Sequence, residues 1–278
     1  MMTDNRKSCN FIVQLIIGFF WSMPLVATTV NFKYHISTDK ALTQVTVKLC
    51  VGERAIYGLR STSRHSQKLL TWLSKEFPMH FASGNRIKFK QALKNQCIKY
   101  KIDLVAAEKV LARSEISRFG SDLLLSPSFW LFLPNNTSEK DQVRATLSLP
   151  KGMSFSTPWQ KIAGENNNRP HYRIKITPDN WSSLLAFGYF KIIKIKADNT
   201  NLRVALINEL RFKTVNKIKL WLQAAVKAVT SAYGQFPVHN PQILVIPSSS
   251  SGQAVRFGQA SQGGGHGIQF YVNPNRPI

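Results

Sequence analysis

The chain has 278 residues, of which 44% are hydrophobic and 18% are charged. This length and composition suit one large or two ordinary folded domains, and they exclude a wholly disordered or wholly membrane-embedded protein. Lys and Arg number 37 against 14 Asp and Glu, for a formal net charge of +23. This excess of positive charge favours anionic partners. The alternative is that the lysines are ordinary solvated surface residues without a partner. Without a zinc-finger or RNA-binding signature, we expect no specific nucleic-acid partner.

Residues 1–27 have the pattern of a secretory signal peptide. Arg6 and Lys7 precede an apolar stretch over 11–26, and Ala27 suits cleavage by signal peptidase. The stretch is short for a membrane span, which needs about 20 apolar residues. We therefore expect an exported protein, in the periplasm or outside the cell. An uncleaved N-terminal anchor is the alternative, and the protein would then contact the membrane only through this segment.

Residues 28–208 are predicted to form a β-rich domain. Apolar and polar residues alternate over 30–36, 45–51 and 96–105, which is the period of a half-buried strand. Further strands are predicted at 129–133, 143–149, 172–176, 187–195 and 202–207. One helix is predicted to begin at Ser66, with Leu69, Leu70, Leu73 and Phe77 on its apolar side. Many short strands indicate an antiparallel β-sandwich or a saddle-like sheet.

Residues 209–278 change to an α+β pattern. Apolar residues at helical spacing predict a helix over 214–233, closed by Gly234. Short apolar runs predict strands near 243–246 and 268–272, and the Ser/Gly-rich segment between them is predicted to be a loop. This piece is too small to form its own core, so we expect it to pack on the first domain.

Two cysteines lie beyond the signal segment, Cys50 and Cys97, and both fall on predicted strands. In an oxidising compartment such a pair is a disulfide candidate. Two buried, reduced thiols are the alternative.

We predict no catalytic residue and no metal ligand. The sequence contains no H-E-x-x-H, and none of its six histidines is paired at i, i+4 with a Glu on a helix. The glycine run 263–265 lacks the Lys and the following helix of a phosphate-binding loop, and no G-x-S-x-G nucleophile turn occurs. An edge strand that a substrate backbone can approach, or a loop without a ligand, are the interpretations left open.

Aromatic side chains fall on or beside the predicted strands and could stack against sugars or bases. Packing between sheets is the commoner explanation. The residues concerned are Trp130, Phe132, Trp159, Trp181, Phe187, Tyr189 and Phe190.

Several segments, taken in order, resemble the exported glycyl aminopeptidases, which are thermolysin-like (gluzincin) zinc metallopeptidases. The segments are NQCIKY (95–100), GSDLL (120–124), LPKG (149–152) with TPW (157–159), FGYF (187–190) and the block from Tyr233 to Val272. The resemblance covers most of residues 30–277. It implies a β domain followed, from residue 209, by the start of a thermolysin-like domain.

The resemblance also implies that Gly263, Gly264 and Gly265 lie where a substrate backbone would pass. No Glu in this segment could hold a substrate amine, and the zinc ligands have no counterpart. We therefore expect a truncated protein that is inactive as a protease. Truncation would leave strand 268–272 as an open edge, because the strands that follow it would be missing. Zinc is expected only if a catalytic segment is supplied, for example by a separately encoded chain. The alternative is a stand-alone binding or adaptor module for peptides or anionic polymers.

Overall fold

The computed structural model describes residues 31–74, 79–162, 169–176, 183–197, 200–208, 212–249 and 252–278. The predicted signal segment, Phe77 and Trp181 lie outside these ranges. The described part is mainly β with some α, as predicted. None of its helices is both long and apolar enough to cross a membrane.

The first part of the chain consists mostly of strands. In chain order they are β1 (Phe32–Thr38), β2 (Gln44–Val51), β3 (Ile56–Arg60), β4 (Leu70–Leu73), β5 (Met79–Ser83), β6 (Arg86–Leu93), β7 (Cys97–Asp103), β8 (Ile116–Phe119), β9 (Asp122–Leu125), β10 (Leu133–Pro134), β11 (Val143–Ser148), β12 (Ser154–Ser156), β13 (Gln160–Ile162), β14 (His171–Ile174) and β15 (Leu185–Gly188). Helices α1 (Ser66–Leu69) and α2 (Leu104–Val110) and a 3-10 turn (Pro127–Phe129) interrupt them.

The remaining elements are β16 (Lys191–Ala197), β17 (Thr200–Leu206), α3 (Phe212–Tyr233), β18 (Gln242–Pro247), β19 (Val255–Ser261) and β20 (Gly267–Val272). The predicted strand 187–195 is therefore two strands, β15 and β16, which belong to different sheets.

A large sheet of seven strands has the order β13-β14-β11-β1-β2-β7-β4. Two sheets of four strands, β10-β3-β6-β5 and β12-β15-β9-β8, contribute to the same hydrophobic core. Most pairs are antiparallel, but β1 and β11 are parallel. Alternation along each strand places one row of apolar side chains in this core and leaves the other row of the large sheet outside.

The predicted disulfide is present. Cys50 and Cys97 are register partners on the neighbouring strands β2 and β7, and their sulfur atoms are bonded. Because the bridge closes a separation of 47 residues, it restricts the unfolded chain, which stabilises the fold by about 2–4 kcal/mol.

The predicted strand 129–133 is wrong. Residues 129–132 form the end of the 3-10 turn and a buried loop, and only Leu133 belongs to a strand, β10. Phe129, Trp130 and Phe132 are all fully buried, so no alternation separates two faces. The backbone of Phe132 instead bonds to two tyrosines: its N–H donates to the Tyr100 hydroxyl at 3.1 Å, and its carbonyl accepts from the Tyr34 hydroxyl at 2.9 Å.

The predicted helix from Ser66 is a single turn, α1, followed directly by strand β4. His65 occupies the N-cap, and the buried Ser66 hydroxyl bonds to Ser61 and Ser63 instead of capping the turn. Leu70 is extended because β4 pairs with β7.

The helix α2 was not predicted. It begins where the Asp103 carboxylate accepts the Ala106 N–H at 2.8 Å, so β7 ends before the predicted limit of residue 105.

The C-terminal sheet has five strands in the order β16-β17-β18-β20-β19. β16 and β17 precede the predicted boundary at residue 209, yet β17 pairs in parallel with β18. That boundary therefore does not coincide with a division between sheets. The helix α3 matches its prediction and packs Ile218 and Leu222 into a core shared with Val204 and Val245.

The expected open edge at 268–272 is wrong. β20 lies inside the C-terminal sheet, between β18 and β19, and β19 forms the edge. The segment of β19 was predicted to be a loop. Its side chains are mostly exposed, including Phe257 at 52%, so no alternating apolar pattern marks it as a strand.

Candidate ligand-binding cleft

A cleft of about 500 Å³ lies where the large sheet meets the C-terminal sheet. One wall comes from β13 and β14, and the opposite wall from the hairpin of β16 and β17. The turn between β19 and β20 adds Gly264, Gly265 and His266, and the segment before β18 adds His239 and Asn240. The cleft therefore depends on strands that are distant in sequence.

The lining of this cleft is strongly basic. Lys161, Arg173, Lys175, Lys194 and Arg203 all line it, and none of its lining residues is an Asp or a Glu. His239 and His266 add two further nitrogen donors. A concave surface lined by one sign of charge concentrates counter-ions, so the geometry suits an anionic group.

Arg203 is the most constrained of these cations. Its Nη2 donates to the carbonyls of Thr157 at 3.0 Å and Asn240 at 3.4 Å. Its Nε is buried and has no hydrogen-bond partner among the described residues. Burial lowers the pKa of Arg203 from its ordinary value, although the nearby Tyr172 opposes this shift. Because arginine starts from so high a pKa, the side chain stays cationic.

The glycine run packs closely against the first part of the chain. A Cβ at Gly264 would lie 2.6 Å from the Trp159 ring, and Gly264 has a φ of +76°. A Cβ at Gly265 would overlap the Pro158 carbonyl. The Gly263 carbonyl accepts a hydrogen bond from the Ser183 hydroxyl. Glycine is therefore needed here for contacts within the chain, while Gly264 and Gly265 also reach the cleft.

The described residues do not supply a donor set that fits zinc. No group of three or more His, Cys, Asp or Glu among them is close enough to hold a metal ion. His239 and His266 share the cleft with lysines and arginines, which repel a divalent cation. Cys50 and Cys97 are joined in the disulfide.

The aromatic residues that could have formed a stacking platform are mostly in the core. Those with at most 2% exposure are Trp130, Phe132, Trp159, Phe187 and Phe190. Phe155, Trp159 and Tyr172 contact one another edge-on or tilted, at centroid distances of 5.5–6.4 Å. These contacts pack the rings against one another, and the fully buried rings are inaccessible to sugars or bases.

Gly264 and Gly265 of the cleft were singled out from the sequence, but its cations were not. Lys161, Arg173, Lys194 and Arg203 lie on four different strands. The only signal in the sequence was a lysine or arginine at alternate strand positions, which an ordinary solvated face also produces.

The edge strand β19 is followed by the turn that lines the cleft. It pairs with β20 on one side, and its last residue, Ser261, precedes the glycine run. Its outer side carries backbone groups that a further strand can pair with.

The fold is similar to that of a solved structure described as an aminopeptidase N family protein from Idiomarina loihiensis. The TM-score is 0.66 and the sequence identity is 12%. The similarity covers 89% of this chain and 43% of that one, so the chain spans less than half the length of that protein. No protein-family model matches the chain, and no curated protein matches it. At this identity the comparison shows an aminopeptidase-like fold, as the sequence resemblance predicted.

Proposed function

We propose that this chain is an exported binding protein with the architecture of the front part of an aminopeptidase-like metallopeptidase. It holds an extended peptide along β19 and an acidic group of that peptide in the cleft. By itself it does not cleave the peptide, because its 278 residues contain no H-E-x-x-H. Cleavage would require a zinc-binding segment that a separately encoded chain could supply.

The observation that carries this proposal is that the turn joining the edge strand β19 to β20 lines the basic cleft. A peptide that adds a strand to an open edge gains its affinity from backbone hydrogen bonds and its specificity from side-chain pockets. Here the pocket is the cleft lined by the turn after β19, where Lys161, Lys175 and Lys194 are exposed. These cations select an acidic side chain or a carboxylate, and they oppose a free amine.

Export is supported by two independent features. The N-terminal pattern is that of a signal peptide. The Cys50–Cys97 disulfide suits a compartment outside the reducing cytosol.

Peptide binding can be tested with two N-acetylated probes, a Val-Glu repeat and a Val-Lys repeat. Fluorescence anisotropy should show the Val-Glu peptide binding at least ~10-fold more tightly, since electrostatic complementarity sets this preference. The variant Lys161→Gln/Lys175→Gln/Lys194→Gln should abolish the preference. As a matched control, Lys217→Gln/Lys219→Gln/Lys227→Gln removes the same charge from the exposed side of α3 and should retain it. Equal binding of both peptides would contradict the proposal.

The role of the edge can be tested with proline. Consecutive residues of an edge strand point their N–H groups alternately inward and outward, so Gln259→Pro and Ala260→Pro form an informative pair. One of them should keep the thermal stability of the protein and lose peptide binding, because it removes only an outward donor. If the stable variant binds the Val-Glu peptide normally, the peptide does not pair with β19.

The non-catalytic part of the proposal has its own test. Incubation of the chain with aminoacyl fluorogenic substrates and added zinc should give no turnover above buffer. Zinc-dependent hydrolysis that co-purifies with the chain and is lost in His239→Ala or His266→Ala would overturn it.

A further inference from the structure

The outer face of the large sheet is covered with positive charge. Strands β1, β2, β7 and β11 turn their apolar residues into the core and their alternate residues outward. We call the outward cations the basic sheet face, and they are Lys33, Lys48, Lys99, Lys101, Arg144 and Arg173.

The strand register places these cations side by side. Arg173 pairs with Arg144, and Arg144 pairs with Lys33, so three cations cross three adjacent strands in one row. The next row contains Lys48 opposite Lys99. Neighbouring strands are about 4.8 Å apart, and like charges directly opposite each other are destabilising. The register therefore concentrates positive charge on this side of the sheet.

Acidic residues are rare on the strands of the large sheet. Asp103 is the only acidic residue within the seven strands of the large sheet, and its carboxylate is engaged in capping α2. His35 also lies on this face, and its pKa reflects the positive charge around it. Burial lowers its pKa, and the neighbouring positive groups Lys48, Arg169, His171 and Lys33 lower it further.

The shape of the surface favours a linear ligand. Arg173 belongs both to the basic sheet face and to the lining of the cleft. The positive surface therefore continues from a sheet into a concavity, and a planar membrane cannot follow that path. A flexible chain with regularly spaced anionic groups can.

The aromatic residues argue against single-stranded nucleic acid as that chain. Proteins that bind single strands offer exposed rings on which bases stack. On the strands of the large sheet, Tyr34, Tyr100 and Tyr172 point into the core. Trp72 on the edge strand β4 is 39% exposed, but the Lys99 ammonium lies 5.9 Å from the centre of its ring.

We propose that the basic sheet face binds a linear acidic polysaccharide, whose carboxylate or sulfate groups pair with successive cations along the rows. The site does not depend on peptide binding at β19, since Lys33, Lys48 and Lys99 lie outside the cleft.

The test uses heparin as a sulfated probe and polygalacturonate as a carboxylated probe. Affinity is measured by calorimetry over a series of NaCl concentrations. The variant Lys33→Gln/Lys48→Gln/Lys99→Gln changes three exposed side chains and should weaken binding of at least one probe by ~10-fold or more, with a shallower dependence on salt. The matched control is Lys217→Gln/Lys219→Gln/Lys227→Gln on α3, which has the same net charge and should stay within about 2-fold of the wild type.

Three results would overturn the proposal. Equal weakening in both variants would mean diffuse attraction by net charge. Tighter binding of oligo(dT), lost selectively in the sheet variant, would assign the face to nucleic acid. Binding to phosphatidylglycerol vesicles that depends on these lysines, without binding to either polysaccharide, would assign it to a membrane surface. Retained Val-Glu peptide binding in the sheet variant would show that the fold and the cleft are intact.

Discussion

The Asp122 carboxylate fixes the backbone of Tyr189: its Oδ1 accepts the Tyr189 N–H at 2.8 Å, while its Oδ2 accepts the Asn208 N–H at 2.7 Å. Asp122 begins β9 in the first part of the chain, whereas Tyr189 precedes β16 and Asn208 follows β17. Asp122 is 2% exposed. One buried side chain therefore joins the small sheet around β9 to the C-terminal sheet, and it helps to set the position of the cleft wall.

Replacing this carboxylate should loosen the connection. Asp122→Asn keeps one acceptor oxygen and turns an amide N–H₂ toward a backbone donor, which should lower the free energy of unfolding by about 1–3 kcal/mol. Urea denaturation followed by circular dichroism measures the change. Glu139→Gln, at an exposed position, is the control and should be near neutral. If Asp122→Asn leaves the free energy of unfolding unchanged, the two backbone contacts contribute little to stability.

Gly264 should tolerate no side chain. Gly264→Ala places a Cβ against the Trp159 ring and retains a positive φ, so we expect a loss of about 1–3 kcal/mol in the free energy of unfolding. Gly252→Ala is the matched control, because nothing lies within 4 Å of a Cβ there. Thermal unfolding of the two variants compares them. If both melt alike, the glycine run does not pack on Trp159 in solution.

The disulfide should make stability sensitive to reduction. A reducing agent should lower the free energy of unfolding of the wild type by about 2–4 kcal/mol. Cys50→Ser/Cys97→Ser should be destabilised by a similar amount and should not respond to the reductant. A wild type that melts identically with and without dithiothreitol would indicate that the two thiols are not bonded.

His35 should make the fold less stable in mild acid. Its pKa is lowered from 6.5 in the folded state, chiefly by burial and then by nearby positive charges. The unfolded chain therefore takes up this proton first, and stability is lost as pH falls from about 6.5 through the folded-state pKa. His35→Gln should flatten the dependence of the free energy of unfolding on pH between neutral pH and pH 5. His80→Gln, at an exposed position, is the comparison and should leave this dependence unchanged.

The same histidine reports on the basic sheet face. A bound polyanion would offset the surrounding positive charges and raise the pKa of His35. An NMR titration with and without heparin measures this shift directly. An unchanged pKa at saturating heparin would place the polymer elsewhere on the molecule.

Processing of the N-terminus remains a prediction from the sequence. Export should be accompanied by cleavage after Ala27, so that the mature chain begins at Thr28. N-terminal sequencing of the protein from the periplasm or medium provides the test. A chain that keeps residues 1–27 and sediments with membranes would instead favour the uncleaved anchor.

Local patterns in the sequence were sufficient for several elements. The apolar spacing of Val215, Ile218, Leu222 and Val226 predicted α3, and these residues are buried. The alternation of apolar and polar residues predicted β1, β2 and β7. Each of these strands has one apolar side and one polar side. Both patterns succeed because each element places one side in a core and the other in water. The Cys50–Cys97 bridge was predicted from two cysteines on such strands and from the expectation of export, and the two residues are register partners.

Only the tertiary structure decided which distant segments of the chain contact one another. β1 pairs with β11, and β17 pairs with β18 across the helix α3, so the grouping of strands into sheets could not be taken from their order. The edge strand β19 had no periodic signal because neither of its sides is buried. The cations of the cleft come from separate strands, and each alone resembles an ordinary solvated lysine or arginine. Their combined charge arises only when the sheets meet, since electrostatic potential depends on distance in space and not along the chain.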